Sequence, residues 1–406
     1  MPTLLLALAL LAQDRVLITG ALLLDPILGG AVDSGRSLLI ADGRIQKVLA
    51  RDAPAPEGAR RLDLTGFLIL PGLIDLHTHV TLRPYDQMSW EDQVHKESLE
   101  LRAIRATAAA RATLEAGFTT IRDLGTEGAG LADVALRDAI TQGIVPGPRI
   151  LATTRAIVRT GCYDPLAAQA VEGVDGVRRA VREQAAAGAD WIKVYADYRC
   201  EPGKPARPAF TLEELQALVE EARGAGLRVA AHATTDEGIR RAVAAGAATI
   251  EHGTGASDGT LKLMKERGAV LCPTLAASEA MARYAKQPER RRESLEAFAR
   301  ARRAGVTIAC GSDAGVFAHG TNLRELELMV EGGMDVVDAL RTATEVASEV
   351  LGRKDLGCFA PGGPADLVVC RLPSAQPDRR FPSFDLAALR SPAMVWKDGR
   401  IVVDRR

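Results

Sequence analysis

Aromatic side chains are scarce in this sequence: Phe, Trp and Tyr together account for 4% of 406 residues. A core with so few rings has to close with Ala, Leu, Val and Gly, which suits stacked helix–strand layers better than an aromatic-rich β protein. Charge of one sign is also missing, since 51 Lys and Arg face 52 Asp and Glu for a net charge of -1. No basic stripe marks a nucleic-acid surface, and the single apolar run is too short to span a bilayer. A small molecule is therefore the expected partner, with no nucleic acid and no stable membrane anchor. None of the six cysteines (Cys162, Cys200, Cys272, Cys310, Cys358 and Cys370) forms a C-x-x-C pair. That excludes a zinc knuckle or a thioredoxin-like motif, and most of the six are expected to be small buried thiols. No G-x-G-x-x-G follows the first central strand, which argues against a doubly wound dinucleotide-binding sheet.

What is present divides the chain into ends and a middle. Residues 1–12 hold an apolar run, Leu4 to Ala12, with an Ala7-Leu8-Ala9 pattern like the end of a secretory signal peptide, but no basic segment before it. Export to the periplasm or outside the cell is expected on this pattern; the other reading is an apolar extension of the first strand in a cytoplasmic protein. Both ends are β-rich, and each carries an Asp-Gly hairpin signal, at Asp42-Gly43 and at Asp398-Gly399. Residues 13–70 and 357–406 are accordingly expected to form one composite β-sandwich. Residues 71–356 alternate short β runs with Ala- and Arg-rich helical stretches. Eight candidate strands can be placed, at 73–80, 119–124, 149–157, 190–196, 228–233, 248–253, 269–275 and 307–313. Helices at 97–116, 175–188, 211–225 and 235–245 separate several of them, and Thr211 with Glu214 has the form of a capping box. Eight such units predict an α/β fold of the (β/α)8 TIM-barrel type.

Histidine is rare, with six copies, so its placement is informative. His77 and His79 are two residues apart on the first strand and share a face. His232 and His252 lie near the ends of the fifth and sixth strands, Asp313 closes the eighth, and Lys193 lies in the fourth. Taken singly, His232 or His252 reads as a core histidine and Asp313 as a helix cap. Lys193, set among Trp191, Ile192, Val194 and Tyr195, is harder to explain, because burying an unpaired ammonium is costly. Taken together, four imidazoles and a carboxylate at strand ends make a metal-ligand set.

These segments carry a family resemblance. PGLIDLHTH, the WIKVY lysine, VAAHA, IEHG and ACGSDAG resemble the successive motifs of the amidohydrolase superfamily, over nearly the whole chain. DWIKVYADYR, FTLEEL, CPTL and NLRELELM are similar to its imidazolonepropionase-like branch, within it to the metallo-carboxypeptidase and Xaa-Pro dipeptidase group that includes ochratoxin-hydrolysing amidases. The resemblance implies two divalent ions, zinc by default. His77, His79 and Asp313 would hold one and His232 and His252 the other, with N6-carboxylated Lys193 bridging both. Asp313 would be the catalytic base towards a water shared by the ions, and would return the proton to the leaving amine.

The expected reaction is hydrolysis of an amide bond in a small dipeptide or N-acyl amino acid. Hydrolysis of a lactone, cyclic imide or ester, deamination, and an inactive binding scaffold are the alternatives; Lys193 argues against deamination and the complete ligand set against a scaffold. Barrels of this kind commonly assemble, so a homo-oligomer is expected. Tyr195 shares a face with Lys193, and Tyr198 and Arg199 follow in the next loop, where an arginine could bind a substrate carboxylate. These three and His319 are the candidate substrate contacts; Asp75 and Asp123 are candidate partners of ligating histidines or simple caps, and His95 is expected on an exposed helix. One departure concerns TTRAIVRTGCYDPLAAQA, where relatives of the group carry a Gly-rich substrate loop; Cys162 and Asp164 alter it.

Overall fold

The computed structural model describes residues 15–25, 32, 33, 35–51, 53–201, 203–372 and 385–406. The apolar run at Leu4–Ala12 lies outside them. Both Asp-Gly hairpins form: Arg36–Ala41 pairs with Arg44–Ala50, and Met394–Lys397 with Arg400–Asp404. Asp42, Gly43, Asp398 and Gly399 have φ of 53°, 75°, 47° and 73°, as a type I′ turn demands. The two turns abut, and a Cβ on Gly399 would fall 2.5 Å from the Cα of Gly43.

The sheets at this end mix the termini. One six-stranded sheet runs from Arg400–Asp404 through Met394–Lys397, Leu367–Arg371, Phe67–Pro71 and Leu22–Leu24 to Val32–Asp33. A four-stranded sheet is ordered Arg44–Ala50, Arg36–Ala41, Val16–Thr19, Arg60–Asp63. Alternate residues of these strands (Val16 and Ile18, Leu38 and Ile40, Leu367 and Val369) share one buried cluster with Trp396, the period-two pattern of sheets that cover each other.

The middle is mostly parallel. Leu73–Thr78, Phe118–Asp123 and Arg149–Leu151 form one sheet; Ile157–Arg159, Trp191–Tyr195, Arg228–Ala233, Thr249–His252 and Val270–Cys272 follow one another in a second. Helices Leu99–Glu115, Gly173–Ala186, Leu212–Gly224 and Asp236–Ala245 occupy the expected stretches, and the Thr211/Glu214 capping box is formed. Along Trp191–Tyr195 the side chains alternate. Ile192 and Val194 join the apolar cluster that holds Val177, Val181, Leu218 and Ala222 of the flanking helices, each burial contributing about 1.5–3 kcal/mol. Trp191, Lys193 and Tyr195 point the other way.

Three strand expectations need correction. The 149–157 run is divided into Arg149–Leu151 and Ile157–Arg159. Between them the amides of Thr153 and Thr154 donate to the Asp133 carboxylate at 3.1 and 2.7 Å instead of to a neighbouring strand. The 269–275 run stops at Cys272, because Thr274 turns to φ 51° and the Leu275–Ala285 helix begins. The 307–313 run is no regular strand. It makes single parallel bridges, Leu271↔Ile308 and Thr78↔Ala314, and Asp313 sits at φ 62°. Its amides still bond on both sides: Ala309 N to Leu271 O at 2.9 Å and Asp313 N to His77 O at 2.7 Å, while Leu76 N reaches Cys310 O at 2.9 Å. The last segment of the series is thereby joined to the first.

Candidate metal centre

Besides the hairpin residues Asp42 and Asp398, five non-glycine residues at or beyond strand ends have left-handed backbones: Glu127, Thr154, His252, Thr274 and Asp313, with φ from 48° to 70°. Such residues are uncommon outside turns and cluster where function demands them. At this end of the strands the predicted ligands meet. Asp313 Oδ1 lies 3.6 Å from His77 Nε2 and 3.4 Å from His79 Nε2. One ligand atom from each of His77, His252 and Asp313 falls within 4.8 Å of the others. The rings of His77 and His252 are 5.4 Å apart, and those of His252 and His232 4.6 Å.

These spacings suit a cation. Two ligand atoms about 2.1 Å from a tetrahedral zinc ion stand about 3.4 Å from each other. That is too long for a good hydrogen bond and matches the Asp313–His77 and Asp313–His79 separations. The far nitrogens are engaged elsewhere. His77 Nδ1 meets Glu251 Oε2 at 2.8 Å, His79 Nδ1 meets Gly125 O at 2.8 Å, and His252 Nδ1 meets Thr274 Oγ1 at 2.7 Å. Each contact sets ring orientation and leaves Nε2 towards the centre, the usual backing of a metal-bound imidazole.

The electrostatics agree. Burial, with the nearby Lys193 charge, drives His77 well below the ordinary imidazole range and His252 down to about 3. His232 is lowered by burial and then by His252, so all three present neutral rings at physiological pH. Burial pushes Asp313 up to about 8, against the pull of Lys193. Lys193 is 1% exposed, and its Nζ lies 5.5 Å from the Tyr195 ring centroid, with no hydrogen bond or ion pair among the described residues. Burial lowers its pKa, opposed by Glu251 and Asp313.

A second row of residues supports this set and was not anticipated. Glu251, 0% exposed, holds His77 and also accepts from Arg122 Nη2 at 3.0 Å. Arg122 in turn donates to Leu76 O and lies 4.4 Å over the Trp191 ring. Asp197 accepts from the amides of Thr234 and Thr235 and lies 3.8 Å from His232 Nε2. Glu251 precedes His252 in IEHG, and that adjacency was the available signal. Asp75 braces the site through backbone and neutral partners, taking hydrogen bonds from His77 N, Ser312 and Asn322 rather than from an imidazole. Asp123 accepts from Val80 N.

The substrate candidates fall into two groups. Tyr195 stacks on His232 at 4.6 Å, and Tyr198 lies 5.9 Å from the same ring. Arg199 is exposed and makes no hydrogen bond or ion pair among the described residues. His319 contacts the backbone of His79 (Nε2 to O, 3.2 Å), so it sits behind a candidate ligand. His95 is exposed on the Trp90–Lys96 helix and bonds Asp164 at 2.7 Å.

Most of the six cysteines are buried thiols, as expected. Cys272, Cys310, Cys358 and Cys370 are buried thiols, but Cys162 and Cys200 form a disulfide. It joins the loop bearing Tyr163 to the loop bearing Tyr198, and these rings are 4.8 Å apart. Clefts of about 510 and 840 Å³ elsewhere on the surface include none of the six predicted ligands.

With the site assembled, the comparisons define its class. The chain belongs to the amidohydrolase family, which it matches over residues 68–402. It is 30% identical to an uncharacterized protein of Mycobacterium tuberculosis over 374 residues, 85% of this chain and 93% of the other. It is 29% identical to ochratoxinase of Aspergillus niger over 379 residues, covering 82% and 75% of the two chains. Among solved structures it is similar to a Xaa-Pro dipeptidase with methionine bound in the active site: TM-score 0.85, 32% identity, 96% of this chain and 100% of the other. The protein therefore has a TIM-barrel-like α/β fold and is a hydrolase acting on carbon–nitrogen bonds, from a family that is typically metal-dependent.

Proposed function

We propose that the chain is a binuclear amidohydrolase that cleaves the amide bond of a small dipeptide or N-acyl amino acid. The observation that carries this reading is the spacing of neutral imidazole and carboxylate atoms around one point, beside a buried lysine with no hydrogen bond or ion pair among the described residues. His77, His79 and Asp313 would hold one ion and His232 and His252 the other, with zinc the best match to an imidazole-rich set. Two such ions would supply Lewis acidity and lower the pKa of a water to near neutrality. Lys193 as its carbamate would bridge them: burial lowers its pKa, which favours the uncharged amine that takes up CO₂, and the anionic product would not face the cost of a buried unpaired ammonium. Asp313 would take the proton of the water and pass it to the leaving nitrogen.

The continuity of hydrogen bonds from the 308–314 segment to the Leu73–Thr78 strand supports a closed (β/α)8 barrel over 71–356. The mixed-termini sheets support a composite β-sandwich from 13–70 and 357–406. The Cys162–Cys200 disulfide favours an oxidising compartment and hence export. The exposed Leu101 and Ile104 favour self-assembly. Zinc-loaded protein is to be screened against dipeptides, N-acyl amino acids, aromatic amides of the ochratoxin type, and lactones. Turnover of amides is expected; turnover of lactones alone would contradict the proposal.

A further inference from the structure

Beside the metal ligands lies a carboxylate that the proposed chemistry does not use. Glu127 is 3% exposed and accepts three hydrogen bonds: from Tyr163 Oη at 2.7 Å, Trp90 Nε1 at 3.0 Å and Tyr195 Oη at 3.3 Å. All three donors are neutral. Among the described residues no Lys, Arg or His side chain comes within ion-pair distance of it. Arg102 feels its charge but donates to Thr126 O at 3.0 Å instead. A buried carboxylate without a cation is expensive even when hydrogen-bonded. With about four acceptor positions on a carboxylate, three donors leave room for another.

Two further observations point to a ligand. Glu127 has φ 48°, a backbone that favours glycine, so the segment is strained to place a carboxylate there. Its donors also form an aromatic wall in a chain with only three Trp and five Tyr. Trp90 and Tyr163 are 5.3 Å apart, Tyr163 lies 4.8 Å from both Tyr195 and Tyr198, and Tyr195 and Tyr198 are 5.6 Å apart. The ring edges meet the carboxylate through Tyr163 Oη, Tyr195 Oη and Trp90 Nε1, and the two tyrosine oxygens keep lone pairs that can accept from an ammonium group held by Glu127. Tyr195 links this box to the metal set, since its hydroxyl bonds Glu127 while its ring stacks on His232.

We infer that Glu127 and the rings of Trp90, Tyr163, Tyr195 and Tyr198 form a subsite for the free α-ammonium of the substrate. The inference deepens the amide-hydrolase reading and rests on it: it selects dipeptides with an unblocked amino terminus over N-acyl amino acids. A dipeptide with neutral side chains carries one cation, its amino terminus, and one anion, its carboxylate. Glu127 attracts the first and repels the second. An N-acyl amino acid brings no cation and would face a desolvated carboxylate unpaired.

The test compares L-alanyl-L-leucine with its N-acetyl form on the zinc-loaded full chain. The free dipeptide should have a kcat/KM about 10- to 100-fold higher, the range for a hydrogen bond to a charged group. Glu127→Gln, which keeps the shape, should shrink that ratio towards one through a higher KM for the free dipeptide, with zinc content retained. Equal kcat/KM in the wild type overturns the inference without any variant. An unchanged ratio in Glu127→Gln, or loss of zinc from it, also overturns it, the latter marking Glu127 as a charge balance for the ions. If neither peptide is cleaved, the amide-hydrolase reading is left to the wider substrate screen, and calorimetric binding of the same peptides decides the subsite. Tighter binding of the free dipeptide that Glu127→Gln abolishes keeps it, and equal binding removes it.

Discussion

The disulfide between Cys162 and Cys200 offers a perturbation whose size can be worked out beforehand. The two residues are 38 apart in sequence, and in the chain-entropy account closing a loop of that length stabilises the folded state by about 4 kcal/mol. The double substitution Cys162→Ser with Cys200→Ser should lose up to that amount in guanidinium unfolding. It should also act on the site. Tyr163 and Tyr198 adjoin this loop pair and pack on Tyr195, so releasing the loops should raise KM more than it lowers kcat and leave metal content intact. Thiol titration in denaturant provides the direct check. Without reductant four thiols should react, and after reduction all six. Six reactive thiols before reduction, or a double variant that unfolds at the wild-type denaturant concentration, would refute the reasoning.

Lys193→Ala should lower metal affinity and activity by more than about 100-fold, with partial recovery on adding short carboxylic acids; undiminished activity would rule out the bridging role. Glu251→Gln should weaken metal binding by about 10- to 100-fold through His77. It should also cost about 3–5 kcal/mol of stability, because the buried Arg122 loses its charged partner; unchanged metal binding and melting temperature would count against this coupling. Metal uptake should release protons at neutral pH. Burial places Asp313 at about 8 while the imidazoles sit low, so its proton must leave on binding and affinity should rise with pH from 6 to 8. Calorimetry in buffers of different ionisation enthalpy reads this directly, and uptake without proton release would oppose it.

The grouping of the candidate ligands was legible because histidine is rare and because strand ends converge, so that residues far apart in sequence share one address. Lys193 stood out as a charge inside a five-residue apolar strand. The two hairpins were legible from Asp-Gly alone, since few other pairs accept two consecutive positive φ values. Other features had no local signal. Glu127 is one acidic residue in the Gly-rich run DLGTEGAG, and only its backbone conformation and its three donors mark it out. Cys162 and Cys200 lie on different loops, and nothing in their spacing reveals that the loops touch. The 307–313 run has strand-like composition but pairs by single bridges and ends on the left-handed backbone of Asp313, which composition does not signal.

The central claim is that His77, His79, Lys193, His232, His252 and Asp313 form one site for two ions. Elemental analysis of the purified, zinc-supplemented protein after exhaustive desalting measures it most directly. The account predicts about two zinc ions per chain; a firm stoichiometry of one, or none retained, would contradict it.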